Sequence, residues 1–262
     1  MSDAHTRPFW VSAFLDLAPD RWDAGLAFWA AATGSTLSPF RGEHDEFTTL
    51  LPGDGDDYLR AQRLADAATA PDGVRVHLDL HVVDPHGAAD RAQRLGAHVV
   101  HRSGHGYVVL TSPGGLTFCF VTHPAQRRPA ARRWTTYGDG HASLLDQVAI
   151  DVPAEHAATE ALFWEELTGW PRRASASSRE FTPLQRPAGQ PLRFLVHHLM
   201  EQTGPVRAHL DYATDDRSAE THRHEQLGAS VVRRFDHWTV LRCPAGSTYC
   251  LTDRDPVTGL LG

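Results

Sequence analysis

The sequence predicts an α+β fold built from tandem modules, each with one strand, one helix and about three further strands. Three observations predict it. The chain has 262 residues, of which 41% are apolar, so it can bury one large core or two ordinary ones. Its second half repeats the motifs of its first half, and a strand-helix-strands pattern recurs within each half. We therefore expect four βαβββ modules in two tandem copies.

The repeat consists of short motifs that return in the same order, at an offset that drifts only from 135 to 131 residues. The paired motifs are Phe28-Trp29 and Phe163-Trp164, Glu46-Phe47-Thr48 and Glu180-Phe181-Thr182, His77-Leu78-Asp79 and His209-Leu210-Asp211, Leu95-Gly96-Ala97 and Leu227-Gly228-Ala229, and Thr117-Phe118-Cys119 and Thr248-Tyr249-Cys250. Residues 123–143 between the copies are rich in proline, glycine and arginine, which predicts a linker. The expected domains are residues 1–122 and residues 144–262.

The first module of each copy begins with a short strand, at residues 15–17 and 148–152, where apolar residues alternate or are branched. A helix follows each strand. In the first copy Asp20 can cap the start of the helix, and Gly34 can close its end.

The second module of the first copy begins with the strand that contains His77 and Asp79. Asp84 caps the following helix, which runs to Gly96. Two final strands are joined by a Pro-Gly-Gly turn. The second copy repeats this succession.

Composition excludes several functions. A formal charge of -7 argues against binding to nucleic acid, and all 25 basic residues are arginines, which excludes a Schiff-base lysine. No apolar run reaches the about 18 residues that span a bilayer, and the first residues have neither the basic segment nor the apolar core that is typical of an export signal. We expect a cytoplasmic protein without a membrane partner. Cys119, Cys243 and Cys250 are interpreted as reduced, and Cys119 and Cys250 as buried and inert.

The His-Leu-Asp-Leu strand, the helix that ends in Leu-Gly-Ala and the closing Pro-x-Gly-x-x-Phe-Cys motif together resemble the glyoxalase-like domains of the vicinal oxygen chelate superfamily. The resemblance implies two curled mixed β-sheets of the type found in glyoxalase, bleomycin-resistance and dihydroxybiphenyl dioxygenase proteins. That superfamily includes metal-dependent isomerases and lyases, ring-cleaving dioxygenases, antibiotic-modifying transferases and metal-free proteins that sequester drugs. Fold alone therefore does not select a chemistry.

The resemblance also implies where metal ligands stand. In the second copy the four positions are Gln147, His197 or its neighbour His198, His209 and Thr248. In the first copy they are Ser12, Gln62, His77 and Thr117. The family usually has glutamate at the last position, and a neutral hydroxyl is a poor ligand for a divalent cation. We therefore expect a metal-free first copy, in which His77 is the only strong ligand.

The second copy leaves two alternatives open. Gln147, His197 and His209 could hold a divalent metal ion, or His209 and Asp211 could form hydrogen bonds with no metal. In either case polar side chains should converge on a ligand cup with one aromatic wall. The predicted members of the cup are Gln147, His197, His209, Asp211, Trp238 and Thr248.

The favoured function is binding of a small organic molecule, such as a natural product or an antibiotic, in a concave sheet. The alternative is a metal-dependent lyase or isomerase whose site lies in the second copy. A third alternative is a scaffold whose copies serve dimerisation, which would make the partner a second copy of the chain. No cofactor is assured by the sequence, and a divalent metal in the second domain stays open.

Overall fold

The protein is described by a computed structural model, which covers residues 3–67, 70, 74–135, 140–175 and 178–261. This part of the chain contains two mixed β-sheets, neither closed into a barrel, together with four α-helices. The predicted α+β fold of tandem βαβββ modules is therefore confirmed. None of the helices described is long and apolar enough to cross a membrane.

The first copy supplies one complete sheet. Its elements are β1 (Trp10–Leu17), α1 (Trp22–Thr33), β2 (Thr36–Leu37), β3 (Phe47–Leu51), β4 (Leu59–Arg63), β5 (Val74–His81), α2 (Pro85–Arg94), β6 (His98–Arg102), β7 (Val108–Thr111) and β8 (Thr117–Val121). The strand order is β2-β3-β4-β1-β5-β8-β7-β6. Strands β5 and β8 run parallel, whereas the hairpin partners run antiparallel, so the sheet is mixed.

The second copy repeats this plan. Its elements are β9 (Arg132–Trp134), β10 (His141–Val152), α3 (Ala157–Thr168), β11 (Phe181–Leu184), β12 (Arg193–His198), β13 (Arg207–Thr214), α4 (Arg217–Gln226), β14 (Ser230–Arg234), β15 (Trp238–Arg242) and β16 (Thr248–Thr252). The strand order is β11-β12-β10-β13-β16-β15-β14, and β9 pairs with β10. Strands β13 and β16 run parallel, as β5 and β8 do.

Local signals in the sequence set the ends of the helices. Gly34 and Gly169 close α1 and α3 in the left-handed conformation, with φ of 66° and 72°. Asp84 and Asp216 cap α2 and α4, because each carboxylate accepts a hydrogen bond from a backbone N–H three residues on. The expected cap at Asp20 is wrong: a short 3₁₀ turn precedes α1, and that helix has no side-chain cap.

The predicted linker at residues 123–143 contains regular structure. Strand β9 pairs antiparallel with the start of β10, and the indole Nε1 of Trp134 donates a hydrogen bond to Ser143 Oγ at 2.8 Å. Residues 136–139 of this segment lie outside the described residues. Its tryptophan therefore fixes part of a stretch whose proline, glycine and arginine content predicts a flexible connection.

The chain divides into two compact units, each assembled from both copies. The first unit comprises Met1–Ala13, His77–Arg127 and Val148–Ala208, and the second comprises Phe14–Val76, Arg128–Gln147 and His209–Gly262. Each sheet contains strands of one copy, whereas each compact unit contains segments of both copies. The domain boundaries at residues 122 and 144 therefore separate the two sequence copies. That they also separate folding units stays a prediction.

The first unit has an aromatic core between α3 and β8. The Trp164 ring lies 5.4 Å from that of Phe118 and 5.5 Å from that of Phe194. Its indole Nε1 donates a hydrogen bond to the buried carboxylate of Glu160 at 2.7 Å. The same carboxylate accepts from the hydroxyl of Ser112 at 2.8 Å, so the buried acid has several donors.

The second unit has a matching aromatic core between α1 and β16. The rings of Phe28 and Trp29 lie 5.7 and 5.3 Å from that of Tyr249. The buried carboxylate of Glu220 accepts hydrogen bonds from Ser143 Oγ at 2.6 Å and from Arg223 Nε at 2.7 Å. In both units a helix from one copy therefore packs on a strand from the other copy.

Candidate functional site

Three potential metal ligands meet on two parallel strands of the second copy. His209 and Asp211 are two residues apart on β13, so they share one face of the strand. Asp211 stands opposite Cys250 of β16 in the strand register. One ligand atom from each of the three side chains lies within 4.8 Å of the others. We call His209, Asp211 and Cys250 the His209 centre.

The two partners of His209 approach the same atom of its ring. Nε2 lies 3.3 Å from Asp211 Oδ1 and 3.8 Å from Cys250 Sγ. A nucleophilic triad needs the acid on one ring nitrogen and the nucleophile on the other. Here the acid and the thiol lie against the same ring nitrogen, which is not the geometry of such a triad. The arrangement is a convergence of three donor atoms.

Gln147 on β10 orients the carboxylate of the centre. Its side-chain amide Nε2 donates a hydrogen bond to Asp211 Oδ2, and both residues are buried. Within the described part of the chain, Oδ1 of Asp211 accepts no hydrogen bond. One oxygen of the carboxylate is thus held by an amide, while the other faces His209.

The donor set fits a divalent cation of the zinc class. Zinc binds imidazole nitrogen at about 2.0–2.1 Å and thiolate sulfur at about 2.3 Å, so tetrahedral ligands lie about 3.3–3.6 Å apart. The two separations from His209 Nε2 are 3.3 and 3.8 Å, close to these values. The side chain of His209 is 20% exposed and that of Asp211 is 4% exposed. Solvent therefore reaches the centre on the side of the histidine.

The other predicted members of the cup have different surroundings. Nδ1 of His197, on β12, lies 2.8 Å from Asp151 Oδ1, and its ring lies 5.0 Å from that of Phe181. Burial, together with the neighbouring charge of His197, lowers the pKa of His198.

Trp238 and Thr248 lie on the two strands β15 and β16. The half-buried ring of Trp238 stacks on Phe235, with centroids 4.5 Å apart. Thr248 is exposed and precedes Cys250 by two positions on one face of β16. Cys250 is therefore a potential ligand on this strand that the resemblance did not indicate, and Thr248 stays a predicted member of the cup.

The first copy carries the same three residue types. His77 and Asp79 lie on β5, and Cys119 stands opposite Asp79 on the parallel strand β8. Their ligand atoms also lie within 4.8 Å of one another, and all three residues are buried. We call these residues the His77 centre. The premise that His77 is the only strong ligand of this copy is wrong, since a carboxylate and a thiol accompany it.

The remaining first-copy positions do not join the His77 centre in the way that the resemblance implied. Oγ of Ser12 lies 2.8 Å from His81 Nε2, and His81 Nδ1 lies 2.8 Å from the carbonyl oxygen of His123. Gln62 on β4 is half-buried and pairs with Phe47 of β3. Thr117 begins β8, two residues before Cys119.

Sequence reasoning missed the two cysteines. Strand alternation places residue 250 on the same face as residue 248, and residue 119 on the same face as residue 117. The signal was the repeat itself, because Cys119 and Cys250 occupy matching positions, as do the two His-x-Asp pairs. Both thiols were interpreted as inert core residues, and neither was therefore predicted to be a ligand.

Comparisons with known proteins agree with this architecture. The model of the glyoxalase-like domain family matches residues 12–121 and residues 147–252. A search of curated proteins finds no significant match.

Several solved structures share the fold at low sequence identity. A mutant of 4-hydroxymandelate synthase from Streptomyces coelicolor is 18% identical, with a TM-score of 0.60 over 97% of this chain and 95% of that chain. The 2,2',3-trihydroxybiphenyl 1,2-dioxygenase of Sphingomonas wittichii is 14% identical, with a TM-score of 0.60 over 95% of this chain and 91% of that chain. A mutant of homoprotocatechuate 2,3-dioxygenase from Brevibacterium fuscum is 13% identical, with a TM-score of 0.61 over 95% of this chain and 72% of that chain. Because the family model covers most of both copies, the chain belongs to the glyoxalase-like domain family, within the vicinal oxygen chelate superfamily.

Proposed function

We propose that this protein binds a small organic molecule at the His209 centre, and that the centre holds a divalent metal ion of the zinc class. One observation carries the proposal: Asp211 and Cys250 both face the Nε2 atom of His209. A single ring nitrogen carries at most one hydrogen, so Nε2 cannot donate a hydrogen bond to both of these side chains. A shared cation gives all three donor atoms a reason to converge.

The charges of the three side chains support a divalent ion. A thiolate and a carboxylate supply two negative charges, and a neutral imidazole supplies a third donor without charge. Holding the ion requires the thiol of Cys250 to lose its proton, which a neighbouring cation favours. Three protein ligands leave one tetrahedral position for a ligand, as in catalytic rather than structural zinc sites.

The residues of and around the His209 centre would have different roles in binding. Gln147 holds Oδ2 of Asp211 through its amide, so that Oδ1 would stay available to a bound ion. The partly exposed ring of His209 leaves an approach for the organic molecule. A bound divalent ion supplies Lewis-acid polarisation of a carbonyl or enol oxygen. Trp238 and His197 stay predicted members of the wall around the ligand.

The donor set of the His209 centre argues against inferring iron-dependent ring cleavage for this protein from the dioxygenases that share its fold. Non-haem iron oxygenases of one large class use two imidazoles and one carboxylate as ligands. The His209 centre offers one imidazole, one carboxylate and one thiol. We therefore propose zinc-class binding, with a metal-assisted lyase or isomerase reaction as the finer alternative.

Metal-free ligand binding is a second candidate function. It is favoured by the contacts that Asp211 already makes to Gln147 and His209, which partly satisfy a buried carboxylate without a cation. In that case the cup would bind its ligand through polar side chains alone.

Metal analysis of protein purified without chelator tests the proposal. We expect about one equivalent of divalent metal per occupied centre, and Cys250→Ser should lose about one equivalent while Thr248→Ala keeps the wild-type content. Acetohydroxamate, a bidentate metal ligand, should bind the zinc-loaded wild type saturably and the Cys250→Ser variant much more weakly. Wild-type protein that holds no metal and shows no rise in melting temperature with added zinc would contradict the metal assignment and favour the metal-free candidate.

A further inference from the structure

We propose a second binding site in this protein: a cavity beneath the β9 segment that takes a small, uncharged aromatic molecule with one hydroxyl or carbonyl group. The cavity lies within the second compact unit and has a volume of about 300 Å³. None of its lining residues belongs to the His209 centre. It would therefore bind its ligand independently of any metal.

The interior of the cavity is apolar. Leu50, Leu59 and Leu145 line it and are each no more than 2% exposed. Leu144 and the ring of Tyr58 complete this wall and are also buried. Such a lining binds hydrocarbon surface by the hydrophobic effect, and a planar ring makes good use of aromatic neighbours.

A single buried hydroxyl in this lining has no partner. Tyr212 is 1% exposed, and its Oη forms no hydrogen bond with any described residue. The hydroxyl of the other tyrosine, Tyr58, already donates to the carbonyl oxygen of Leu145 at 2.8 Å. A buried hydroxyl without a partner costs free energy, so the free hydroxyl of Tyr212 marks where a polar atom of a ligand would bind.

The chemistry of Tyr212 narrows the class of ligand. The phenolic hydroxyl of Tyr212 can either donate or accept a hydrogen bond. It therefore suits a phenol, which can do both, or an aryl ketone, which accepts. Tyr212 follows Asp211 directly on β13, and successive side chains of a strand point to opposite faces. This alternation separates the cavity from the His209 centre.

The charged groups of the lining stand at its rim. Asp54 and Arg132 are both exposed, and Nη1 of Arg132 donates to the carbonyl oxygen of Gly34 at 2.8 Å. No ionisable side chain of fixed charge lies among the buried lining residues. An anionic or cationic ligand would lose its hydration against this apolar wall, so the lining favours an uncharged ligand. The volume is at the lower end for ligand pockets, which limits the ligand to one or two rings.

Calorimetric titration with 4-ethylphenol and ethylbenzene tests this site. We expect both probes to bind wild-type protein saturably. In the Tyr212→Phe variant 4-ethylphenol should bind about 3- to 10-fold more weakly, since one hydrogen bond is lost, whereas ethylbenzene should bind as before. The melting temperature of this variant should be unchanged or higher, because the hydroxyl that it removes has no partner. Tyr58→Phe, which removes a satisfied hydroxyl, should lower the melting temperature.

Two further variants keep the proposal falsifiable. Ala131→Phe, at the half-buried rim, should weaken both probes by filling the cavity, even if Tyr212→Phe folds poorly. His209→Ala should leave both probes unaffected, which separates this site from the proposed metal centre. The proposal is overturned if neither probe binds wild-type protein saturably. It is also overturned if Tyr212→Phe binds 4-ethylphenol as tightly as wild type, if Ala131→Phe binds both probes as tightly as wild type, or if His209→Ala loses either probe.

Discussion

The two copies contain the same three donor residues but support them differently. In the second copy Gln147 donates to the carboxylate of Asp211, whereas Ser12, at the matching position of the first copy, contacts His81. The carbonyl oxygen of His123 can only accept, so Nδ1 of His81 donates to it, and Ser12 contacts the other ring nitrogen. Duplication thus preserved the donors and changed what orients them.

Exposure also differs between the centres. His77 is buried, whereas His209 is partly exposed. A ligand can therefore approach the His209 centre more directly than the His77 centre. The comparison suggests a working site in the second copy and a site of lower access in the first copy.

The largest expected effect is the difference in zinc affinity between a variant of the second-copy thiol, Cys250, and a variant of the first-copy thiol, Cys119. Cys250→Ser should weaken zinc binding at the second-copy centre on the order of 100-fold, because a neutral hydroxyl replaces a thiolate. Cys119→Ser should leave that centre unchanged. Competition titrations with a zinc-sensitive dye, carried out on both single variants, measure the two affinities. If Cys250→Ser binds zinc as tightly as wild type at both centres, the thiol is not a ligand.

A smaller effect tests the different support of the carboxylates. Gln147→Ala should weaken zinc binding at the second-copy centre roughly 10- to 100-fold, because outer partners orient metal ligands. Ser12→Ala should leave whatever zinc affinity the His77 centre has within about twofold of wild type, since its hydroxyl contacts His81 instead. The same dye competition measures both. Equal losses in the two variants would remove the distinction between the copies.

The difference in exposure should appear in stability. His77→Ala should lower the free energy of unfolding by about 2 kcal/mol, because it removes a buried side chain. His209→Ala should lower it by less than about 1 kcal/mol, because the side chain is partly exposed. Urea denaturation of metal-free protein gives both values. A larger loss in His209→Ala would mean that His209 mainly braces the sheet.

The smallest expected effect concerns the position that the resemblance first indicated. Thr248→Ala should change zinc affinity by less than about twofold and stability by less than about 0.5 kcal/mol, because the residue is exposed on β16. Dye competition and urea denaturation apply here as well. A clear loss of zinc affinity would return Thr248 to the centre.

The sequence was sufficient to predict the modules, because each is encoded locally. The aspartate caps of α2 and α4 and the glycine ends of α1 and α3 act within a few residues of themselves. His209 and Asp211 were predicted for the same reason, since strand alternation is local.

Contacts between distant segments could not be predicted in this way. The register that brings Asp211 opposite Cys250 depends on the parallel pairing of β13 and β16. The packing of Trp29 on Tyr249 joins residues from different copies, and motif matching carries no information about such a contact. The strand within residues 123–143 was hidden because a distant residue packs on Trp134: the guanidinium of Arg223 lies 3.6 Å from the centroid of its ring.

Cobalt substitution tests most directly whether the three side chains of the His209 centre share one ion. In a Cys119→Ser background, Co²⁺-loaded protein should show a thiolate-to-cobalt charge-transfer band in the near ultraviolet, because Cys250 would bind the ion as a thiolate. Adding Cys250→Ser should abolish that band, and His209→Ala should weaken it together with the cobalt affinity. A cobalt complex without the band, or a band that survives Cys250→Ser, would contradict the assignment of the centre.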